Sequence, residues 1–166
     1  MSEREKQLPT GHETVLPEWA DYNGHMNLAY YVVAFDGATD AYKAHVGIDK
    51  SYRKRTGHST FAAELHVVYL QEMMVGEEVD LTTYLLDHDA KRHHFIHSMW
   101  RSSDNALVAT MEVMSLHIDL SVRKTAPWPD DIAAKIAELR GRHALFAPPE
   151  QAGRIAGLRN GRRSQS

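Results

Sequence analysis

The sequence predicts an α+β domain in which one long helix lies against an antiparallel sheet of five strands, with a short helix closing the chain. Two patterns carry this expectation. Tyr30, Val33, Ala34, Gly37, Ala38, Ala41, Tyr42 and His45 recur at helical spacing, while Phe61 to Met73, Val79 to Leu86, His93 to Arg101 and Leu107 to Leu120 are rich in Val, Thr, Tyr and Leu. A third is the spacing between the latter runs, where MVGEE, DHDAKR and SSDNA have hairpin lengths. A chain of 166 residues that is 43% hydrophobic can bury one complete core, and nothing in it marks a second domain.

In chain order, the polar residues 1–11 are expected to be disordered, and a first short strand is expected between His12 and Trp19, cut by Pro17. Residues 21–27, DYNGHMN, are dense in turn formers, and Asn27 is placed to cap a helix that starts at Leu28 and stops at Gly47. Gly37 costs about 1 kcal/mol of helix propensity, which predicts a close backbone approach there. Lys50, Arg53, Lys54, Arg55 and Gly57 read as a basic loop before the strands begin. Pro127 and Pro129 end the last strand, and Asp130 to Arg140 should form the closing helix, with Asp130 as its cap. The domain then spans residues 12–147, followed by a basic tail, 148–166, that is expected to be disordered.

Composition excludes several classes of function. With no cysteine, disulfides, thiolate nucleophiles and Cys-type metal sites are all ruled out. The charged start MSEREKQLP and the lack of any long apolar run argue against secretion and membrane spanning, so a cytoplasmic location is expected. The net charge of −3 is uneven: arginines gather after residue 139, and the body before them is acidic. Such a body does not suit a nucleic-acid partner. His88, His93, His94 and His97 do not suit a metal, because strand residues four apart stand about 13 Å from each other.

Trp19 to Asn27, WADYNGHMN, is the segment that can carry chemistry. It sets a carboxylate just before a helix N-terminus, whose free N–H groups suit a developing oxyanion. Asp21 can serve there as nucleophile or general base toward an acyl group. The same residues would also build an ordinary Asx turn and cap, so spacing alone leaves both readings open.

Strand, D-x-x-G-H-x-N, a helix with Y-x-x-x-F-D and a four-stranded meander together resemble the hotdog-fold acyl-CoA thioesterases of the 4-hydroxybenzoyl-CoA thioesterase type, over about residues 12–122. The segment from Pro17 to Tyr42, with DAKRHH and LSVRKTAPWP, is similar to the betainyl-CoA branch of that family, including thioesterase domains fused to carnitine dehydrogenases. The resemblance implies that Asp21 attacks or activates water, that the backbone N–H near Leu28 holds the thioester oxygen, and that Gly24, His25 and Asn27 shape the loop. It also implies hydrolysis of a small acyl-CoA, with betainyl-CoA the best candidate, in a homodimer or dimer of dimers whose sites lie between subunits. No cofactor is implied.

For a trimethylammonium group the candidates are Trp19, Tyr22, Tyr31, Asp36 and the partner strand's Glu64, because such a cation takes ring faces and diffuse negative charge rather than hydrogen bonds. Tyr30 and Phe35 read as core, and Asp36 and Asp40 are rivals to Asp21 because another hotdog branch uses a mid-helix carboxylate. Lys91, Arg92, Arg123 and Lys124 are candidates for the phosphates of coenzyme A. Two other functions fit the same fold. One is an enoyl-CoA hydratase, whose D-x-N-P-x-H motif Asp21, Asn23 and His25 partly resemble, with Gly24 in the proline position and His25 one residue early. The other is a non-catalytic acyl-CoA-binding module.

Overall fold

A computed structural model describes residues 1–157. Strand β1 (Leu8–Thr14) precedes the long helix α1 (Leu28–His45) and a second helix, α2 (Lys50–Thr56). The long strands β2 (His58–Tyr69), β3 (Glu78–His88), β4 (Arg92–Arg101) and β5 (Leu107–Asp119) follow, then the two-residue β6 (Lys124–Thr125) and helix α3 (Asp130–His143). All pairings are antiparallel, in the order β1-β3-β4-β5-β2, with β6 added to the end of β5. This is the α+β hotdog arrangement, a curled sheet holding α1 on its inner face.

The face that α1 buries is rotated from the expected one. Tyr31, Ala34, Phe35, Ala38 and Tyr42 are buried, whereas Val33, Gly37, Ala41 and His45 are exposed. Ring area decides the rotation, since fully burying an aromatic side chain is worth about 1.5–3 kcal/mol and Phe35 and Tyr42 both have no exposed surface. The Tyr42 ring meets Phe95 of β4 at 4.6 Å between centroids. Gly37 has only Glu13 Oε1 within reach of an added Cβ, at 4.0 Å, so close packing is not its reason. Gly47 does carry such a reason: its φ is +91°, and a Cβ there would lie 2.9 Å from Ile132 Cδ1 of α3.

Four other expectations are corrected. The chain is ordered before residue 12, because β1 starts at Leu8 and Pro9 is tolerated on an edge strand. Its polar residues find partners on β3: Arg4 reaches Asp80 at 2.9 Å and Gln7 Oε1 accepts from Thr82 Oγ1 at 2.9 Å. The basic segment after Gly47 is helix α2 rather than loop, capped by Asp49, whose Oδ1 accepts from the Tyr52 N–H at 2.8 Å, and stopped by Gly57 at φ +70°. At α3 the cap is Pro129, and Asp130 is the first helical residue, where its charge still favours the N-terminus. Of the basic tail, residues 148–157 form turns that touch the sheet, with the Gly153 N–H donating to Glu112 Oε2 at 2.8 Å, and 158–166 lie outside the described residues.

Candidate active site

The loop ahead of α1 is held from both sides by backbone bonds. Asp21 N–H donates to the His25 carbonyl at 2.8 Å, Met26 N–H to Met73 at 2.8 Å and Asn27 N–H to Trp19 at 2.9 Å. Gly24 turns the chain at φ +79°, and its N–H donates to the Asp21 carbonyl at 3.0 Å. Asn27 is the expected cap, its Oδ1 accepting from Ala29 N–H at 3.0 Å. Within this frame Asp21 Oδ1 accepts from the N–H groups of Asn23 (2.8 Å) and His25 (3.3 Å). The Asx turn is therefore present, and it is compatible with a reactive role for Asp21. The Asx turn fixes one carboxylate oxygen, and Oδ2 is left without a hydrogen bond among the described residues.

Asp21, His25, Leu28, Tyr31, Tyr69 and Glu72 line one shallow cleft of about 380 Å³. Leu28 is the first residue of α1, so its N–H has no helical acceptor, and it donates to nothing else among the described residues. Asp21, with an unbonded carboxylate oxygen, and Leu28, with an unbonded N–H, thus border the same cleft, and attack on a carbonyl uses such a pair of groups. The Tyr31 and Tyr69 rings meet edge to face at 5.2 Å, and burial holds both hydroxyls above the usual phenol range. Tyr69 donates to the Leu28 carbonyl at 3.1 Å, tying β2 to the start of the helix. No sequence pattern points to Tyr69, because its place in the cleft depends on where β2 ends against α1.

The other candidates are dispersed. Trp19 stacks on Tyr30 at 5.7 Å, Tyr22 is 97% exposed, and neither lines the cleft. Asp36 belongs to a second cavity, of about 370 Å³, between α1 and β2, with Val32, Thr39, Ala62 and Leu65. Asp40 pairs with Lys43 at 2.7 Å. A bulge between Ala62 and Glu64 in β2 puts Ala62 opposite Ser115 and Glu64 opposite Met114, so Glu64 faces away from α1, beside His94 and Glu112. Glu64 is therefore not on the face that holds Asp21 and Asp36. Lys91, Arg92, Arg123 and Lys124 gather at the far end of the sheet, where Lys91 carbonyl accepts from His117 N–H and Lys124 pairs with Asp119. Arg92 is already engaged there, its Nε donating to Asp89 Oδ2 at 2.6 Å.

The strand histidines serve packing. His97 Nε2 lies 2.9 Å from Thr39 Oγ1, which itself donates to the Phe35 carbonyl, so Nε2 donates to Thr39, and Nδ1 lies 2.7 Å from Thr83 Oγ1. His93 Nδ1 meets Tyr42 hydroxyl at 3.0 Å, and burial pushes both His93 and His97 down to about 3. In the loop, His25 Nδ1 faces Glu72 at 3.3 Å while only its backbone reaches Asp21. The Asp–His side-chain pair that a hydratase needs is not formed. Among the described residues no cluster suits a metal ion, and no helix is long and apolar enough to cross a membrane.

A helix-wrapping sheet with a carboxylate at the helix start defines a class, and comparison with known proteins agrees with it. The family model described as the thioesterase-like superfamily matches residues 15–136; the chain belongs to that superfamily and is a thioester hydrolase. Betainyl-CoA thioesterase of Pseudomonas aeruginosa is 40% identical over 153 residues, covering 92% of this chain and 96% of the relative. L-carnitine dehydrogenase/betainyl-CoA thioesterase of Rhizobium meliloti is 35% identical over 139 residues, covering 84% of this chain and 28% of that longer protein. A hypothetical protein of Staphylococcus aureus, solved in complex with CoA, superposes with a TM-score of 0.84 at 27% identity, covering 92% of this chain and 96% of that one.

Proposed function

We propose that this chain hydrolyses betainyl-CoA to betaine and coenzyme A, as a step in carnitine breakdown. The observation that carries the reading is the shared cleft, where Asp21 Oδ2 and the Leu28 N–H are both unengaged. The thioester carbonyl rests on the N–H, and Asp21 either attacks it to form an anhydride or draws a proton from the attacking water. Repeated turnover in ¹⁸O-water separates the two, since only the anhydride route carries label into the Asp21 carboxylate. Gly24, His25 and Asn27 hold the loop in shape.

The betaine assignment takes its support from the two relatives above and from the cleft itself, whose Tyr31 and Tyr69 rings and Glu72 carboxylate offer what a trimethylammonium group can use. Its test is a substrate pair. Betainyl-CoA should exceed the uncharged isostere tert-butylacetyl-CoA by about 1–4 kcal/mol in kcat/KM when one or two rings engage. A wild-type enzyme that favours the neutral isostere removes betaine and keeps the hydrolase. Release of no coenzyme A from any acyl-CoA would instead favour the binding module.

The reading includes a cytoplasmic homodimer or dimer of dimers joined through β2. That strand ends the sheet with its outer edge unpaired and leaves Phe61, Leu65 and Tyr69 exposed along it. Lys91, Arg123 and Lys124, with Arg92 less free, are proposed to meet coenzyme A phosphates at the basic end of the sheet. Replacing them with Ala should then raise KM more than it lowers kcat.

A further inference from the structure

Helix α2 places Lys50, Arg53, Lys54 and Arg55 within one short stretch of an acidic body. Lys50 and Arg53 line a cavity of about 380 Å³ between the end of α1, α2 and the start of β2, together with Lys43, His58, Ser59 and Thr60. The two carboxylates of this cavity are already occupied. Asp40 pairs with Lys43, and Asp49 caps α2 through Oδ1, so the three cations and two carboxylates of the lining leave a net charge of +1. Lys50 and Arg53 form no ion pair among the described residues, and His58 Nδ1 is buried without a partner. The cavity therefore presents unneutralised donors to whatever enters it, which suits phosphate oxygens.

The position of the cavity matters as much as its charge. β2 begins in it, at His58 to Thr60, and ends in the Asp21 cleft, at Tyr69 and Leu70, roughly 35 Å further along the strand. Two β2 edges related by a two-fold axis must pair antiparallel. Such a pairing turns the beginning of one β2 toward the end of the other, so each Asp21 cleft faces the other copy's basic cavity. A coenzyme A thioester has the matching layout, with the reacting carbonyl at one end of an uncharged arm and all its phosphates at the other.

We infer that the partner's Lys50 and Arg53 hold the phosphates of the coenzyme A thioester cleaved at Asp21. The inference rests on the thioesterase reading and on the β2 dimer, and it adds a trans-acting phosphate grip on a helix apart from the sheet-end residues considered above.

The experiment uses the double variant Lys50→Ala/Arg53→Ala and two thioesters of the same acyl group, one of coenzyme A and one of pantetheine, which lacks the phosphates beyond the arm. With the coenzyme A thioester KM should rise about 10- to 100-fold with kcat little changed, as expected for loss of hydrogen bonds to charged groups, and the penalty should be absent with pantetheine. Mixed dimers of Asp21→Asn and Lys50→Ala/Arg53→Ala copies, purified by two tags, then locate the grip. One site in each such dimer keeps both intact groups, so the wild-type KM should return at about half the wild-type kcat. A KM that stays high in the mixed dimer overturns the trans assignment, and an equal penalty on both thioesters overturns phosphate binding. Failure of the thioesterase reading looks different, because the wild-type enzyme would then release no coenzyme A.

Discussion

The loop ahead of α1 and the interior of the sheet treat their polar groups in opposite ways. In the loop, backbone amides immobilise one oxygen of Asp21 and leave the other unbonded at a half-open cleft. In the interior, His93 and His97 are buried on the face toward α1, bonded to Tyr42, Thr39 and Thr83 and held neutral. The interior engages both ring nitrogens of His97 and one of His93, whereas the loop leaves one oxygen of the Asp21 carboxylate unbonded beside an open cleft. Histidines are plentiful in this chain, yet the group proposed for chemistry is a carboxylate outside the core.

The largest expected effect tests the loop. Asp21→Asn keeps an oxygen for the Asx turn but can neither attack nor accept a proton, so kcat should fall by about 10³-fold or more while the thermal midpoint stays put. A near-wild-type kcat would move the chemistry to Asp36 or Asp40. A lost fold would erase the contrast between the two regions.

The next effect tests the interior. Burial pushes His93 and His97 down to about 3 and His143 down to about 4. The unfolded chain takes up these protons near pH 6.5, so the stability they confer is complete above that pH and is lost as pH falls toward the folded values. Each histidine should remove about 1.4 kcal/mol per pH unit below 6.5 until its folded value is reached. Urea midpoints measured from pH 7 to pH 4.5 should show a steep decline, and His97→Asn should flatten part of it. A flat profile would mean that these rings are protonated without harm, which their burial does not allow.

Smaller effects sharpen the boundary between the regions. Gly24→Ala meets no atom within 4 Å but must adopt φ +79°, so it should lose about 1–2 kcal/mol of stability and lower kcat by shifting Asp21. Asn27→Ala removes the cap on Ala29 and should lose about 1 kcal/mol, with a modest rise in KM as the first turn loosens around Leu28. Calorimetry and steady-state kinetics on the same preparations decide whether stability and turnover move together at these two positions, as they should where the frame and the site are one structure.

Strand existence, the extent of α1 and the turn and cap of the loop were legible because each depends on local patterns: alternation, capping and turn residues. What was missed depends on tertiary partners. β1 begins before residue 12 because Arg4, Gln7 and Thr10 find partners on β3, which composition cannot reveal. The α1 stripe was displaced because Tyr31 and Phe35 carry more area than Val33 and Ala41, a difference that spacing alone ignores. Tyr69 enters the cleft through the crossing of β2 and α1, and Glu64 leaves the inner face through one bulged residue. The Asx turn was legible as a turn, but that it would occupy only one carboxylate oxygen was not.

That bulge makes the face of an entire half-strand a matter of counting. β2 carries one residue more than β5 across from it between Ala62 and Glu64, and because the bulge absorbs that residue, every side chain beyond it keeps the side of the sheet that its partner on β5 sets. Deleting Ala63 would therefore leave Ala62 opposite Ser115 and Glu64 opposite Met114 in an unbroken ladder, with Leu65, Val67 and Tyr69 still on the inner face. An extra residue that no bulge absorbed would instead swap those three for Glu64, His66 and Val68. In a lineage of such enzymes, the bulge is what would let a single-codon insertion lengthen this edge strand without exchanging the lining of the substrate site.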